Sequence, residues 1–367
     1  MFKSKDKIIN TSGVSVDISI VENNADSIKK EINEIKKIAD DSNLSKRKLK
    51  PNEILFLFYC EKYSSNENVF PNFWEFRYGL NPEKTVKKLL KLNFIRISTA
   101  KESLENIKTN DLKEILRKKE LKVSGKKSEL IKRVSDSVTE EELSIIFPDR
   151  FYRLTELGNS EKTENEYVYI FEKPRYGFTL WEVNKLIGTK DPKRYMDYIW
   201  GDLNERYLKI IKSADFKLNP QLVCLVRRYM AEFLIDEKKY ENAFLSLTEC
   251  VFYDINYEAV SNYIYDKKQE KELEKFKKQG ICIHVDKKNF SDYIYTHSKW
   301  FSKIYEEMNI SVEYFKVKLV ECFNNYKFKK TIFSVDELAE MIIYSIEENE
   351  DKFYELCKIA EKKINVK

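Results

Sequence analysis

The chain has 367 residues, enough for two or three domains, and 42% of them are hydrophobic and 14% aromatic, so there is material for real cores. Charged residues make up 35% and there are only 8 glycines and 7 prolines, which argues against a β-sandwich or a disordered chain and for a mainly α fold. The 66 basic and 61 acidic side chains leave a net charge of only +5, so a polyanion-binding role would have to come from local rather than global basicity.

No apolar run is long enough for a membrane span, and the opening MFKSKDKIIN lacks the apolar centre of a secretion signal, so a cytoplasmic location is expected. Six cysteines are scattered without a C-x-x-C pair and read as buried thiols. The two histidines, His284 and His297, lie 13 apart without matched cysteines, so no metal site is expected.

In chain order, residues 1–50 read as a peripheral arm: Ile8–Val21 as a strand or ordered arm, Ser27–Ala39 as a helix, and SKRKLK at 45–50 as a basic linker. Pro51–Tyr63 is an apolar helix, followed by FPNFWEFRYGLNP, in which Phe73, Trp74, Phe76 and Tyr78 read as core rather than as a base-stacking platform. Asn81 caps a helix with Pro82 at its first position. Val86, Leu89 and Leu90 face inward there, while Lys84, Lys87, Lys88 and Lys91 share the other face. Those lysines suit either phosphate contacts or an ordinary solvated surface. Phe94–Ser98 follows with strand alternation.

Ile107–Val134, IKTNDLKEILRKKELKVSGKKSELIKRV, gathers ten basic against four acidic side chains, a local excess larger than the whole chain's. Leu112, Ile115 and Leu116 line one helix, with Thr109 or Asn110 as its cap; Leu121 and Val123 alternate through an extended link; Leu130, Ile131 and Val134 line a second helix, with Ser124 as its cap. Open amides at a helix start beside Lys122, Lys126 and Lys127 make a phosphate cradle, and Gly125 lets a backbone come close. With these residues the stretch resembles a SAP motif, the small helix–loop–helix module associated with DNA binding, over about 107–143. The resemblance implies contact with DNA through Lys122, Ser124, Gly125, Lys126 and Lys127.

Downstream, FYRLTELG at 151–158 pairs with the FIRIS segment in a pattern similar to the end of a winged-helix domain, which places the SAP-like module inside the wing. Phe178–Ile187 and Tyr198–Ile211 read as helices. In Leu222–Asp254, the spacing of Ala231, Tyr240, Ala243, Leu247 and Cys250 resembles one tetratricopeptide repeat, an α-hairpin that needs neighbours to cover its face. The stretch 262–279 reads as a solvated helix of alternating charge, Ser334 and Glu337 as a capping box, and the chain as ending in a helix that runs to Val366.

The domains expected are therefore an arm over 1–50, a winged-helix-like domain with the inserted module over 51–160, a helical TPR-like region over 161–260 and a C-terminal helical region over 261–367. No phosphate-binding glycine loop or hydrolase motif occurs, so no catalysis and no cofactor are expected, although a carboxylate-only nuclease stays open. Two functions compete: a DNA-binding protein of low sequence preference, and a scaffold whose helical C-terminal half docks a protein partner. From Pro51 onward the arrangement resembles SAP-containing proteins of low-GC Gram-positive bacteria and their phages.

Overall fold

A computed structural model describes residues 8–9, 15–16, 33–34, 49–213, 222–279, 288–325 and 331–364. Most of the expected N-terminal arm, including its helix at 27–39 apart from residues 33–34 and most of the basic linker, lies outside the described residues, as does Val366. Within the arm, β1 (Ile8–Ile9) pairs antiparallel with β2 (Ser15–Val16). The described chain is mainly helical and divides into two compact units, one of residues 1–174 and 178–195, the other of 175–177 and 196–367. Residues 161–174 and 178–195 thus fold with the region 51–160 that holds the paired strands, and 196–260 with the C-terminal helices.

In the first unit, α1 (Pro51–Leu57) is buried along its whole length. The aromatic segment packs on it through α2 (Phe73–Tyr78): Trp74 lies 5.1 Å from Phe56, ring to ring, and its indole N–H donates to the Tyr63 hydroxyl at 2.8 Å. Trp74 and Tyr78 are core as expected, but Phe76 is half exposed because it falls on the outer face of this short helix. Gly79 closes α2 in the left-handed conformation that glycine tolerates. Asn81 then caps α3 (Pro82–Lys91) by accepting from the Lys84 amide at 2.9 Å.

From α3 the chain enters β3 (Ile95–Ile97), which pairs antiparallel with β4 (Tyr152–Leu154) in the register Ile95–Leu154, Arg96–Arg153, Ile97–Tyr152. The alternation expected of FIRIS is broken: Phe94 and Ile95 are both buried, and Ile97 is half exposed. All of residues 98–151 is inserted between these two paired strands.

YRLTELG has a local physical reason. Thr155 caps α8 (Glu156–Glu164): its hydroxyl accepts from the Gly158 amide at 3.1 Å and donates to the Asn93 carbonyl at 2.6 Å. The helix thereby comes so close to the strand that a Cβ on Gly158 would collide with the Phe94 carbonyl oxygen. Only glycine fits there without displacing backbone. Helices α9 (Tyr167–Ile170) and α10 (Leu180–Ile187) complete the unit; α10 starts at a Thr179–Glu182 capping box.

In the second unit, α11 (Tyr195–Lys212) is followed by α12 (Leu222–Asp236) and α13 (Tyr240–Tyr253), which pack along their lengths across a three-residue turn. Ala231 and Ala243 are fully buried between them, where larger side chains would hold the helices apart. One continuous core then joins α13 to α15 (Ser298–Met308), α16 (Val312–Asn324), α17 (Val335–Ile346) and α18 (Glu350–Lys363). The Ser334–Glu337 capping box is present, with bonds of 2.8 and 3.1 Å. Helix α14 (Val260–Lys278) buries only Val260 and Tyr263 and carries ion pairs Lys267–Glu270 and Lys275–Glu272, as its alternating charge implied. Five cysteines, Cys60, Cys224, Cys250, Cys322 and Cys357, are buried and free; Cys282 lies outside the described residues.

Candidate nucleic-acid interface

The insertion between β3 and β4 has its own core. Helix α4 (Ala100–Ser103) and the turn Leu104–Asn106 precede α5 (Thr109–Lys118), α6 (Lys127–Ser137) and α7 (Glu140–Ile146). Leu112, Ile115 and Leu116 of α5 meet Leu130 and Val134 of α6, and Ala100, Leu104, Ile107, Val138 and Leu143 close the cluster. Leu121 and Val123 turn half inward from the link, which holds the loop against the helices. Ile131, read as core, is only partly buried. The folded module thus begins at α4, ahead of Ile107, and uses α7 as its lid.

Both helix starts differ from expectation. Helix α5 begins at Thr109 with Lys108 in the cap position, and α6 begins at Lys127 with Lys126 in the cap position; neither has a side-chain cap bond. Ser124 stays in the loop, exposed, three residues before the helix. The first amides of α6, at Lys127 and Ser128, precede the helix's own hydrogen-bond ladder, which starts with the Glu129 and Leu130 amides on the Lys126 carbonyl.

Four of the ten cations in 107–134 are engaged within the protein. Arg133 reaches back from α6 to donate to the carbonyls of Lys122 and Ser124, so it braces the loop from behind. Lys127 donates to the Glu105 carbonyl at 2.7 Å and ties the start of α6 to the preceding turn. Lys118 pairs with Glu114 at 3.3 Å and Lys119 pairs with Glu142. Lys122 and Lys126 are exposed and make no ion pair among the described residues. Gly125 adopts φ +129°, strained for any residue with a side chain, and the Glu129 carboxylate folds over it into the space a Cβ would need. That carboxylate puts one negative charge at the mouth of an otherwise positive loop.

The module is fixed to the paired strands by arginines. Arg153 of β4 donates to the Glu102 carbonyl at 2.8 Å and to Asn106 Oδ1 at 2.7 Å. Arg96 of β3 makes a two-point pair with Glu102 at 2.7 and 2.5 Å. The guanidinium bonds, helped by the Thr99 amide, hold the Glu102 carboxyl down from 4.5 to about 2. On the module's other side Glu140 accepts from the amides of Ala100 and Lys101 and so caps α4.

The second lysine cluster is only partly available. Lys88 of α3 points at the nearly buried Glu53 carboxylate, with contacts of 2.8 and 2.6 Å, and so serves the unit's own packing. Lys84, Lys87 and Lys91 are exposed.

Sequence reasoning counted the lysines but missed Arg133, Arg153 and Glu129. Their partners are mostly backbone carbonyls and a glycine, with Asn106 far from Arg153 in sequence, so they leave no mark in residue type or spacing.

In comparisons with known proteins, the SAP domain family matches residues 103–138. This chain carries a SAP domain. The matched span covers most of the module's own core, which reaches beyond it to Ala100 and Leu143, and such domains point to nucleic acid as a partner in general. No curated protein and no solved structure matches the chain. Among the described residues, no helix is long and apolar enough to cross a membrane.

Proposed function

We propose that this is a non-catalytic DNA-binding protein of low sequence preference that holds phosphates through the SAP loop and the start of α6. The observation that carries the reading is the SAP domain itself, with Lys122 and Lys126 exposed in the loop that leads into α6 and the loop braced by Arg133. Lysine is a flexible point charge, so these contacts position a duplex without reading its bases. Ser124 and Gly125 serve as the close-approach segment, and Lys127 contributes from its tethered position.

The antiparallel pairing of β3 with β4 supports a winged-helix-like reading of the host. In that reading Lys84, Lys87 and Lys91 form a second phosphate-contacting face, and Lys88 does not take part.

A scaffold role is the second reading, with the tetratricopeptide-like hairpin α12–α13 and its neighbours docking a protein. The observation that favours it is a cleft of about 330 Å³ in the second unit, where half-exposed Leu245 and Tyr314 stand beside Phe244 and Met308. The two readings are compatible.

The test is fluorescence anisotropy of the full chain against labelled duplex DNA, single-stranded DNA and duplex RNA of equal length. Duplex DNA should bind most tightly. Binding to none of the three near physiological salt would move the function to the scaffold.

A further inference from the structure

The second unit draws together side chains that stand far apart in sequence. Cys250 lies in the last turn of α13, and the chain continues through a π-helical turn, Asp254–Ala259. That turn places Asp254 and Glu258 in succession beyond Cys250, each four residues after the last. His297 sits at the N-terminal cap of α15, in the left-handed conformation at φ +53°. The sulfur of Cys250, the Nε2 of His297 and the Oδ2 of Asp254 form a triangle with edges of 3.5, 3.4 and 2.8 Å. Cys224, from α12, lies beside them and groups with Asp254 and Glu258; within each of the two threesomes every ligand atom is within 4.8 Å of the others.

We propose that Cys250, Asp254 and His297, completed by Cys224 or Glu258, bind a single divalent ion of the zinc class. Three arguments converge. The first is distance: donors at about 2.0–2.3 Å around a tetrahedral ion stand roughly 3.3–3.8 Å apart, close to the two sulfur edges of 3.4 and 3.5 Å. The 2.8 Å edge between His297 and Asp254 is a hydrogen bond, which an entering ion would open by replacing the shared proton. The donor set is also of the mixed sulfur, nitrogen and oxygen kind that zinc accepts and that calcium or magnesium do not.

The second is the histidine. Its side chain is 1% exposed, and Nδ1 is buried with no partner among the described residues. All of the ring's polar stabilisation therefore comes through Nε2, the atom on which the thiol and the carboxylate converge. A thiol nucleophile activated by histidine needs the opposite layout, with sulfur on one ring nitrogen and carboxylate on the other. Convergence on one nitrogen is what a shared ion produces.

The third is backbone. A non-glycine residue at φ +53° and a π-helical turn are both costly local geometries that collect at functional positions. Here both fall on the segments that carry the ligands. The cluster opens on a cleft of about 360 Å³ lined by Arg228, Asn262, Tyr293 and Tyr295, which gives an ion a route in. Sequence spacing did not reveal the site because Cys224 and His297 come from helices outside the continuous run that carries Cys250, Asp254 and Glu258.

The test is a Co2+ titration of the full chain after exhaustive chelation, read by absorbance. One equivalent should bind with tetrahedral d–d bands and a thiolate-to-cobalt charge-transfer band, and Zn2+ should displace it. Cys250→Ser should abolish the charge-transfer band or weaken binding by well over tenfold. The near-isosteric Asp254→Asn should weaken binding at least about tenfold with far-UV circular dichroism unchanged. Cys357→Ser, a buried thiol outside the cluster, should leave the spectrum as it was. A folded chain that shows no tetrahedral cobalt spectrum would overturn the proposal, as would a spectrum that survives both Cys250→Ser and Asp254→Asn.

Discussion

Gly158→Ala probes how the paired strands that carry the SAP domain are closed. The alanine methyl would overlap the Phe94 carbonyl oxygen and stand 3.1 Å from both the Phe94 carbonyl carbon and a Leu154 methyl. The nearest atom belongs to backbone in β3's approach, which is itself held by Thr155 through the Asn93 and Phe94 carbonyls, so it cannot swing aside. Overpacking of this kind costs about 1–3 kcal/mol, and a backbone obstacle places it at the upper end. Alanine regains about 1 kcal/mol of helix propensity over glycine, so the net loss should be about 1–2 kcal/mol. With two compact units, a single global melting temperature is not the right readout. Hydrogen exchange is, because it reports opening free energy segment by segment. Protection should fall about 5- to 30-fold at 94–98 and 151–155 and stay unchanged in α15–α17. Ser160→Ala, on the exposed part of the same helix, should stay within about 0.5 kcal/mol of the parent. Equal or greater protection in Gly158→Ala would refute the close-approach argument.

Glu129→Gln removes the one carboxylate over the SAP loop; at about 8 Å from a phosphate in a water-like dielectric this is worth about 0.5 kcal/mol, so duplex affinity at low salt should roughly double. Arg153→Met removes the clamp on Glu102 and Asn106 and should cost about 1.5–3 kcal/mol of local stability, seen as faster exchange at 99–106 with the folded module's DNA affinity largely kept. For Glu102, whose folded carboxyl is held at about 2, the stabilisation is complete above its usual 4.5 and disappears as pH falls through about 2. Between those values unfolding of the first unit should be pH-dependent, and Glu102→Gln should flatten that dependence.

The SAP domain was legible because its residues report it directly. Leu112, Ile115, Leu116, Leu130 and Val134 recur at helical spacing around a lysine-rich, glycine-marked link. The strand pairing across the insertion was legible too, through the likeness of FIRIS and FYRLTELG to the closing strands of a winged-helix domain; the cap at Thr155 and the close approach at Gly158 came only with the fold. Helix starts were less so: Thr109 and Ser124 are good caps by propensity, yet Lys108 and Lys126 hold those positions, because packing of Ile107 and of the inward-turned Leu121 and Val123 fixes where the chain can turn. Lys88 looked like its neighbours until Glu53, 35 residues earlier, came beside it. The Cys250–Asp254–His297 cluster was invisible, since only the tertiary fold brings the start of α15 to the end of α13.

The most direct test of DNA binding through the SAP loop is the salt dependence of duplex affinity for the native chain and for Lys122→Glu/Lys126→Glu. Each phosphate contact contributes about −0.9 to the slope of log affinity against log salt, so losing two should make the slope shallower by about 1.8 and weaken binding most at low salt. Lys127 is left in place in this variant because it holds the start of α6 to the preceding turn. A double variant that binds duplex DNA with the native slope and affinity would contradict the account.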